Sequence, residues 1–285
     1  MRYYKEVHND GYIYSIDMVR LVMRGNIDDV QSFMNFVSEF EVEFEPKDYQ
    51  HFFSSRMFTY AHMFKFSMGD SAVALGVDFI DARKHDSIVC FMEFNPNKVS
   101  HDYRFTKLLN RVRDSFKEVS VSRWDLAIDM FVQRDYVRLE PDMRNYELIK
   151  SHSGLTEYLG VRNNPGRVKL YDKTKESNLD YNLTRLEITV DGFCEFSELP
   201  IPRVLGITKQ LDINAEMNLN DTELVLYRYL MGSDTVAIDF KRLGRAMQKK
   251  LKPFLFGDTK ALRIDKNSYS ELLLQLREYE IRLFK

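Results

Sequence analysis

The chain is poor in cysteine and carries almost no net charge, and both shortages limit what it can be. Two cysteines in 285 residues, Cys90 and Cys194, supply neither a disulfide framework nor a zinc site. The net charge of −2 gives no overall attraction for nucleic acid, so any DNA affinity must come from local clusters of basic residues. The sequence shows no signal peptide and no apolar run of membrane-spanning length, so a cytoplasmic protein is expected.

Aromatic residues and alternating apolar residues are abundant, and both favour β-strands. Aromatics make up 13% of the chain. Alternation predicts a hairpin over residues 58–67 and 73–79, and further strands at 88–95, 122–132, 155–162, 167–173 and 184–190. Helical spacing is found at residues 30–37 and 105–116. This order of elements predicts an α+β fold in which an antiparallel sheet carries helices on one face.

A proline-rich segment at residues 199–202 predicts a domain boundary, because proline does not continue the interior of a sheet. Beyond it, residues 221–231, 240–252 and 268–284 show helical spacing. We therefore expect a sheet domain over residues 1–200 and a small α-helical domain over residues 201–285.

One predicted strand, at residues 167–173, presents a tyrosine among cations. Side chains alternate along a strand, so Arg167, Lys169 and Tyr171 share one side of it, and Lys173 follows. A phenol flanked by positive charge is suited to attack a phosphodiester, since cations hold the phosphate and favour the phenolate. The same pattern also describes an ordinary half-exposed strand.

Four acidic residues are predicted on the same sheet face as Tyr171. They are Glu93, Asp125, Asp129 and Glu187. Each lies within a strand, where acidic residues are depleted, and Ala127 leaves room for a ligand between the two aspartates. Clustered carboxylates repel one another unless a cation bridges them, and all-oxygen ligation suits Mg²⁺ or Mn²⁺. Ordinary polar decoration of a solvated face is the alternative interpretation.

Several short motifs fall in one order over residues 88–190. They are Met92-Glu93-Phe94-Asn95-Pro96-Asn97-Lys98, Arg123-x-Asp125-Leu126-Ala127-x-Asp129, Tyr158-Leu159-Gly160-Val161-Arg162, the tyrosine strand, and Arg185-Leu186-Glu187-Ile188. In these motifs the chain resembles the Rep_trans family of plasmid rolling-circle replication initiators. A weaker similarity links residues 239–254 to the family's origin-recognition region, and residues 1–85 match only loosely.

The resemblance implies a sequence-specific nicking enzyme that acts at the double-strand origin of a plasmid. The tyrosine at position 171 would attack one strand, become joined to the 5′-phosphate and free a 3′-OH for the polymerase. A divalent metal on some of the four acids, with Asp125 and Glu187 as first choices, and the cations Arg167, Lys169 and Lys173 would stabilise the transition state. The resemblance also implies a homodimer and recruitment of a PcrA-type helicase.

A cluster of basic residues in the helical region is the candidate for duplex recognition. It comprises Lys241, Arg242, Arg245, Lys249 and Lys252. The family resemblance favours origin recognition and dimerisation by residues 201–285, although a solvated helix face would show the same pattern.

Two other functions remain open at the level of sequence. A relaxase of a mobile or conjugative element would use the same chemistry, although relaxases often carry an extra N-terminal DNA-binding domain, and strands that begin by about residue 12 favour an initiator. A non-catalytic origin-binding protein is the other alternative, and the joint presence of the tyrosine and the acids argues against it.

Overall fold

A computed structural model of the chain describes residues 6–9, 11–53, 59–79, 87–152, 154–162, 164–207, 213–256 and 264–281. Over these residues the molecule is a large antiparallel sheet with helices packed on one face, so the predicted α+β fold is confirmed. Residue 58, where the predicted hairpin begins, lies outside the described residues.

The described residues form strands on all seven segments where alternation predicts them, and further strands lie outside those segments. In chain order they are β1 (Val7–Asn9), β2 (Tyr12–Gly25), β3 (Tyr49–Phe53), β4 (Tyr60–Met68), β5 (Ser71–Phe79), β6 (Ile88–Phe94), β7 (Glu118–Met130), β8 (Val137–Leu139), β9 (Tyr146–Ser151), β10 (Gly154–Leu159), β11 (Val168–Asp172), β12 (Thr184–Asp191) and β13 (Val204–Gly206). The main sheet runs β3-β4-β5-β6-β2-β7-β12-β11-β10-β9, with β1 also paired to β2, and β8 pairs separately with β13.

The helices lie between and after the strands. They are α1 (Ile27–Phe40), α2 (Pro96–Val99), α3 (Tyr103–Ser115), α4 (Lys173–Ser177), α5 (Ile213–Asn218), α6 (Asp221–Gly232), α7 (Val236–Arg242), α8 (Arg245–Phe256) and α9 (Lys266–Arg277). The single helix predicted over residues 240–252 is two helices, because the chain turns at Gly244 between α7 and α8. None of the helices among the described residues has the length and apolar character that a membrane span requires.

The apolar side of the sheet forms the main core. Trp124, Leu126 and Ile128 of β7 are fully buried, as their alternation predicts. Apolar residues recurring along α1 and α3, among them Phe33 and Leu108, pack against this side of the sheet. Helices therefore cover one face, and the opposite face is left for polar side chains.

A second apolar cluster is built from residues 205–256, within the region predicted to be helical. The last helix, α9, does not join it. Tyr269, Leu272 and Leu276 of α9 are fully buried in the main core, and the Tyr269 hydroxyl donates a hydrogen bond to the Cys194 carbonyl at 2.7 Å. The prediction that all of residues 201–285 form a separate helical unit therefore needs correction at α9, because the main sheet covers the apolar face of this helix.

One irregularity of β2 matters for the polar face. The pairing of β2 with β7 passes from Ile16–Leu126 directly to Met18–Asp125, so Asp17 is an extra residue on its strand. Such a β-bulge re-aims the side chains next to it. The Asp17 carboxylate accepts hydrogen bonds from Arg185 at 2.9 Å and from Asn95 at 3.2 Å, both on the polar face.

Candidate active site

Antiparallel pairing lays the polar side chains of β7, β10, β11 and β12 in rows across one face of the sheet. One row contains Tyr158, Lys169, Glu187 and Ala127, the next contains Arg167, Thr189 and Asp125, and a third contains Tyr171, Arg185 and Asp129. Tyr171 therefore lies on the same face as the acidic residues, while its strand neighbours Val168 and Leu170 are buried in the main core.

The Tyr171 hydroxyl donates a hydrogen bond to Oε1 of Glu187 at 2.6 Å. The tyrosine is only 5% exposed, and the Lys169 ammonium lies 3.7 Å from the centre of its ring. A group that could act as nucleophile is thus already in contact with a carboxylate that could accept its proton.

The local field does not favour the phenolate. Burial, and after it the negative charge of Glu187, raise the pKa of Tyr171 well above its ordinary value, and the opposing effect of Arg185 is smaller. The expectation that neighbouring cations would favour the phenolate is therefore wrong for this structure. A base in direct contact with the hydroxyl would assist its ionisation.

Glu187 has the properties of such a base. Burial raises the pKa of its carboxyl to about 7, and the negative charge of Asp17 adds to that effect. Lys169 opposes the shift from 3.5 Å away. A carboxyl whose pKa lies near neutral pH is protonated below that pH and able to accept a proton above it.

Asp129 and Glu93, two of the predicted metal ligands, are occupied by cations of the protein. Both oxygens of Asp129 accept hydrogen bonds from the Arg185 guanidinium, at 2.6 and 2.7 Å, in a buried bidentate pair. Glu93 accepts a hydrogen bond from Arg123 at 2.9 Å and lies 3.7 Å from Arg20. These contacts give both acids a structural role in ordering the polar face.

Asp125 and Glu187 lie on the wall of one cavity of about 470 Å³. Burial raises the pKa of Asp125, while the hydrogen bond from the Thr189 side chain works in the opposite direction. Among the described residues, no three or more acidic, histidine or cysteine side chains are grouped closely enough to hold an ion by themselves. Mg²⁺ commonly binds one or two carboxylates and completes its shell with water and substrate phosphate, so these two acids fit such an ion.

The remainder of the cavity wall is rich in cations. Arg123, Arg162, Arg167 and Lys169 contribute to it, and the Arg167 guanidinium lies 4.5 Å from the centre of the Tyr158 ring. No carboxylate of the described residues pairs with Arg162 or Arg167. The cavity thus has four cations on its wall together with three carboxylates, those of Asp125, Glu187 and Glu147.

Lys173, the last of the predicted catalytic cations, begins α4 at the end of the tyrosine strand. It is buried and forms an ion pair with Glu176, and its ammonium lies 5.9 Å from the centre of the Tyr171 ring. It is therefore close to the tyrosine but already has a carboxylate partner.

The basic residues predicted to bind duplex DNA lie on α7 and α8, whose apolar residues form part of the second apolar cluster, and none of them lines this cavity. Lys241, Arg245, Lys249 and Lys252 line a separate cavity of about 310 Å³. Arg242 instead lies 3.5 Å from Asp239 of its own helix. On α8, Arg245, Lys249 and Lys252 are exposed and fall at helical spacing, so the helix presents them together.

Sequence reasoning did not identify Asp17, Tyr158 or Arg162 as site residues. A signal for Asp17 exists, because the apolar phase of β2 shifts from even-numbered to odd-numbered residues between Ile16 and Val19, as a bulge requires. Tyr158 is the first residue and Arg162 the last residue of one of the quoted motifs. The contact of Tyr158 with Arg167 depends on the pairing of β10 with β11, and Arg162 lines the same cavity.

No family model matches the chain, and no curated protein sequence matches it. Among solved structures, the chain is similar to the rolling circle replication initiator protein from Geobacillus stearothermophilus. The TM-score is 0.39 and the sequence identity is 16%, over 90% of this chain and 99% of the other. A likeness at that level establishes neither a family nor an activity for this chain.

Proposed function

We propose that this protein nicks one strand of DNA by attack of the Tyr171 hydroxyl on a phosphodiester, and that this step initiates rolling-circle replication of a plasmid. The observation that carries the proposal is the 2.6 Å hydrogen bond from Tyr171 to Glu187 on a polar face that also holds a cation-lined cavity. The motifs shared with the Rep_trans family of initiators add support for replication as the purpose of the step.

In the proposed step, Glu187 removes the phenolic proton as the Tyr171 oxygen attacks phosphorus. The new bond joins Tyr171 to the 5′-phosphate, the bond from phosphorus to the 3′-oxygen breaks, and that oxygen leaves as a 3′-OH after taking a proton from solvent. The covalent phosphotyrosine conserves the energy of the phosphodiester. The reverse attack by a 3′-OH therefore religates the strand without ATP.

The cations near Tyr171 would have different roles. Arg167 has no carboxylate partner among the described residues, which leaves it available to a phosphate oxygen. Lys169 lies 3.5 Å from Glu187 and 3.7 Å from the Tyr171 ring centre, so it would stabilise charge on both sides of the proton transfer. Lys173 is held by Glu176, and it would have to leave that partner to contact the DNA.

A Mg²⁺ or Mn²⁺ ion, when bound by Asp125 and Glu187, would polarise the phosphoryl oxygens and lessen the repulsion between these two acids. Asp129 and Glu93 would support the site indirectly, because they position Arg185 and Arg123. Asp129, both of whose oxygens bind Arg185, would have to be released from that arginine to become a ligand.

The helical unit of residues 205–256 would bind the duplex origin through the cations of α7 and α8. Phosphate contacts by Lys241, Arg242, Arg245, Lys249 and Lys252 would dominate affinity and make it depend on salt. Base contacts by a few of these side chains would select the origin. A homodimer and a PcrA-type helicase are the further partners that the resemblance implies.

The test requires no knowledge of the origin. The full chain is incubated with Mn²⁺ and a pool of single-stranded oligonucleotides of random sequence, and products are separated on a denaturing gel. A 5′-phosphotyrosine leaves the protein attached to the downstream fragment, so a 3′ label should migrate with the protein and a 5′ label should not. Retention of the 5′ label alone would contradict the assigned polarity, and the adduct should disappear when a chelator replaces Mn²⁺.

The same experiment addresses the two alternatives. A non-catalytic origin-binding protein would shift DNA on a native gel and give no adduct under denaturing conditions. A relaxase would give the same adduct as an initiator. A plasmid that lacks an origin of its own distinguishes the two. If the protein is an initiator, its gene together with DNA that carries the selected nick sequence should allow this plasmid to replicate.

A further inference from the structure

We propose that the cavity beside Glu187 binds one unpaired nucleotide of the substrate strand, with its base on the Tyr158–Arg167 stack and its phosphate between Arg162, Arg167 and Lys169. The inference rests on the proposed nicking function and deepens it. It assigns to Tyr158 and Arg162, which have no role in the chemical step, the binding of the nucleotide that flanks the attacked phosphate.

The arginine side chains of the cavity favour binding of an anionic ligand. Arg167 is half-buried, its Nε has no hydrogen-bond partner in the structure, and neither it nor Arg162 pairs with a carboxylate of the described residues. A cation that loses water without gaining a partner is costly, whereas a phosphate supplies both charge and hydrogen-bond acceptors. The half-buried Arg167, with the exposed Arg162 on the same cavity wall, therefore marks the place of a phosphate.

The aromatic residue of the cavity provides a surface for a base. Tyr158 is half-buried, and the Arg167 guanidinium lies over its ring at 4.5 Å from the centre. Planar aromatic and guanidinium groups bind unpaired bases of any sequence by stacking. An aromatic residue beside unpaired cations is the combination that single-stranded DNA requires.

The arrangement of the side-chain rows determines which end of the cavity would hold the base and which end would hold the phosphate. Glu147 is the cross-strand partner of Tyr158 on β9 and also lines the cavity, so it would repel a phosphate at that outer end. Toward the inner end, Tyr158 faces Lys169 on β11, and Lys169 faces Glu187 on β12. The base would therefore lie at the Tyr158 end, and its phosphate would point toward Glu187.

The volume of the cavity and the distance across the sheet from the strand of Tyr158 to the strand of Glu187 agree with one bound nucleotide. A volume of about 470 Å³ lies in the range of sites for small molecules and is too small for a duplex. Two strand spacings separate β10 from β12, which amounts to about 10 Å. A base stacked on Tyr158 therefore belongs to a nucleotide next to the attacked phosphate.

Binding of a fluorescent (dT)12 strand tests the proposal, with an abasic strand of the same length as the second probe. Anisotropy is measured with the full chain in EDTA, so that no cleavage occurs. Tyr158→Leu should weaken binding of (dT)12 by about tenfold, the effect of one lost stacking contact, and leave binding of the abasic strand unchanged. Tyr158→Phe should bind both strands as the unaltered protein does.

Two further variants complete the design. Tyr103→Leu removes an exposed tyrosine at the start of α3, outside the cavity, and should change neither affinity. Arg162→Ser removes an exposed cation and should weaken both strands alike, because both carry phosphates. A strand with 5-iodouracil in place of thymine should crosslink to the peptide that contains Tyr158, which separates this cavity from DNA bound to α8.

The proposal is overturned if Tyr158→Leu leaves (dT)12 binding unchanged, if it weakens both strands equally, or if the crosslink maps only to other peptides. Failure of the nicking function has a different signature. Tyr171→Phe would then still form adducts with the random pool, or the unaltered protein would form none, while the Tyr158 series could still show stacking.

Discussion

Two tyrosine–glutamate pairs lie on opposite faces of the same sheet, and we propose that only one of them takes part in chemistry. Tyr146 donates a hydrogen bond to Glu157 at 2.5 Å on the core side, and Tyr171 donates one to Glu187 at 2.6 Å on the polar side. The tyrosine–glutamate contact is therefore nearly the same in both pairs, and the differences arise from what surrounds each carboxylate.

Glu157 is surrounded by donors. It is fully buried, forms an ion pair with the Arg134 guanidinium at 2.5 Å and accepts a hydrogen bond from the Leu139 main-chain N–H. Both of its oxygens accept hydrogen bonds within the protein, and a cation pairs with it, which is the condition for a stable buried charge. This pair ties β10 to β8 and to the segment before it.

Glu187 has acidic neighbours and lies on the wall of a cavity. Its nearest cation, Lys169, lies 3.5 Å away, and the negative charges of Asp17 and Asp125 raise its pKa. It also lines the cavity that Tyr158 and Arg167 share. The comparison indicates that the pKa of a largely buried glutamate stays high when its neighbours compensate its charge only in part.

Removal of the hydroxyl from each tyrosine in turn should give the largest difference in activity between the two pairs. Tyr171→Phe removes the proposed nucleophile, and the rate of adduct formation should fall by about 10⁴-fold or more, as it does when a nucleophile is lost. Tyr146→Phe removes the equivalent hydroxyl from the structural pair and should still form adducts. Single-turnover assays with a labelled strand selected from the random pool provide the measurement, and equal losses in both variants would show that the pairs do not differ in function.

Neutralising the two glutamates should give the next largest difference. Glu187→Gln cannot accept the phenolic proton, so adduct formation should fall by between about a hundred- and ten-thousand-fold, the usual contribution of a general base. In the matched variant Glu157→Gln, the fraction of protein that remains folded should nick normally. A Glu187→Gln protein with an unchanged rate would remove Glu187 from the mechanism.

The ion pair that Glu157 forms with Arg134 should contribute more to stability than the ion pair that Glu187 forms with Lys169. Arg134→Met leaves the carboxylate of Glu157 buried without its cation, and the free energy of unfolding should fall by about 3 kcal/mol. Lys169→Met, at the partly exposed pair with Glu187, should cost less than about 1 kcal/mol. Urea denaturation followed by circular dichroism measures both changes, and a larger loss for Lys169→Met would reverse the roles assigned to the two pairs.

The smallest expected effect is a shift in pH dependence. Because Glu187 must be deprotonated to accept a proton, adduct formation should be slow at low pH and should rise as this carboxyl loses its proton. Burial raises the pKa of Glu187 to about 7 in the protein without metal, and a bound Mn²⁺ would move the midpoint below that value. Asp17→Asn removes a negative charge that raises this pKa, so the midpoint should move to lower pH. Rates measured from about pH 5.5 to 8.5 test this, and a midpoint that stays in place or moves upward would exclude Asp17 as its cause.

Along β6, β7, β11 and β12, the alternation of apolar residues was enough to predict which side chains face the main core. It correctly separated Trp124 and Leu126 from Asp125, because the two-residue period of a strand is a local property. The placement of Tyr171 and Glu187 on one face followed from the same rule. These parts of the site depend on neighbours in sequence and on simple antiparallel pairing.

The partners of the charged groups could not be predicted in this way. Arg185 binds Asp129 and Asp17, which are 56 and 168 residues away in sequence, and the second contact requires the bulge in β2. The same limit applies to α9, whose apolar face is typical of many helices and whose partner is set by the tertiary fold. Sequence periodicity specifies a face, whereas ion pairs and helix docking depend on the complete topology.

Mass spectrometry of the protein–DNA adduct tests the central claim most directly. The adduct formed with a single-stranded oligonucleotide is digested with nuclease and protease, and the peptide that carries the remaining 5′-phosphate is sequenced. The account predicts phosphate on Tyr171 and its absence from the Glu187→Gln protein at matched times. Phosphate on any other residue, including Tyr158, would contradict it.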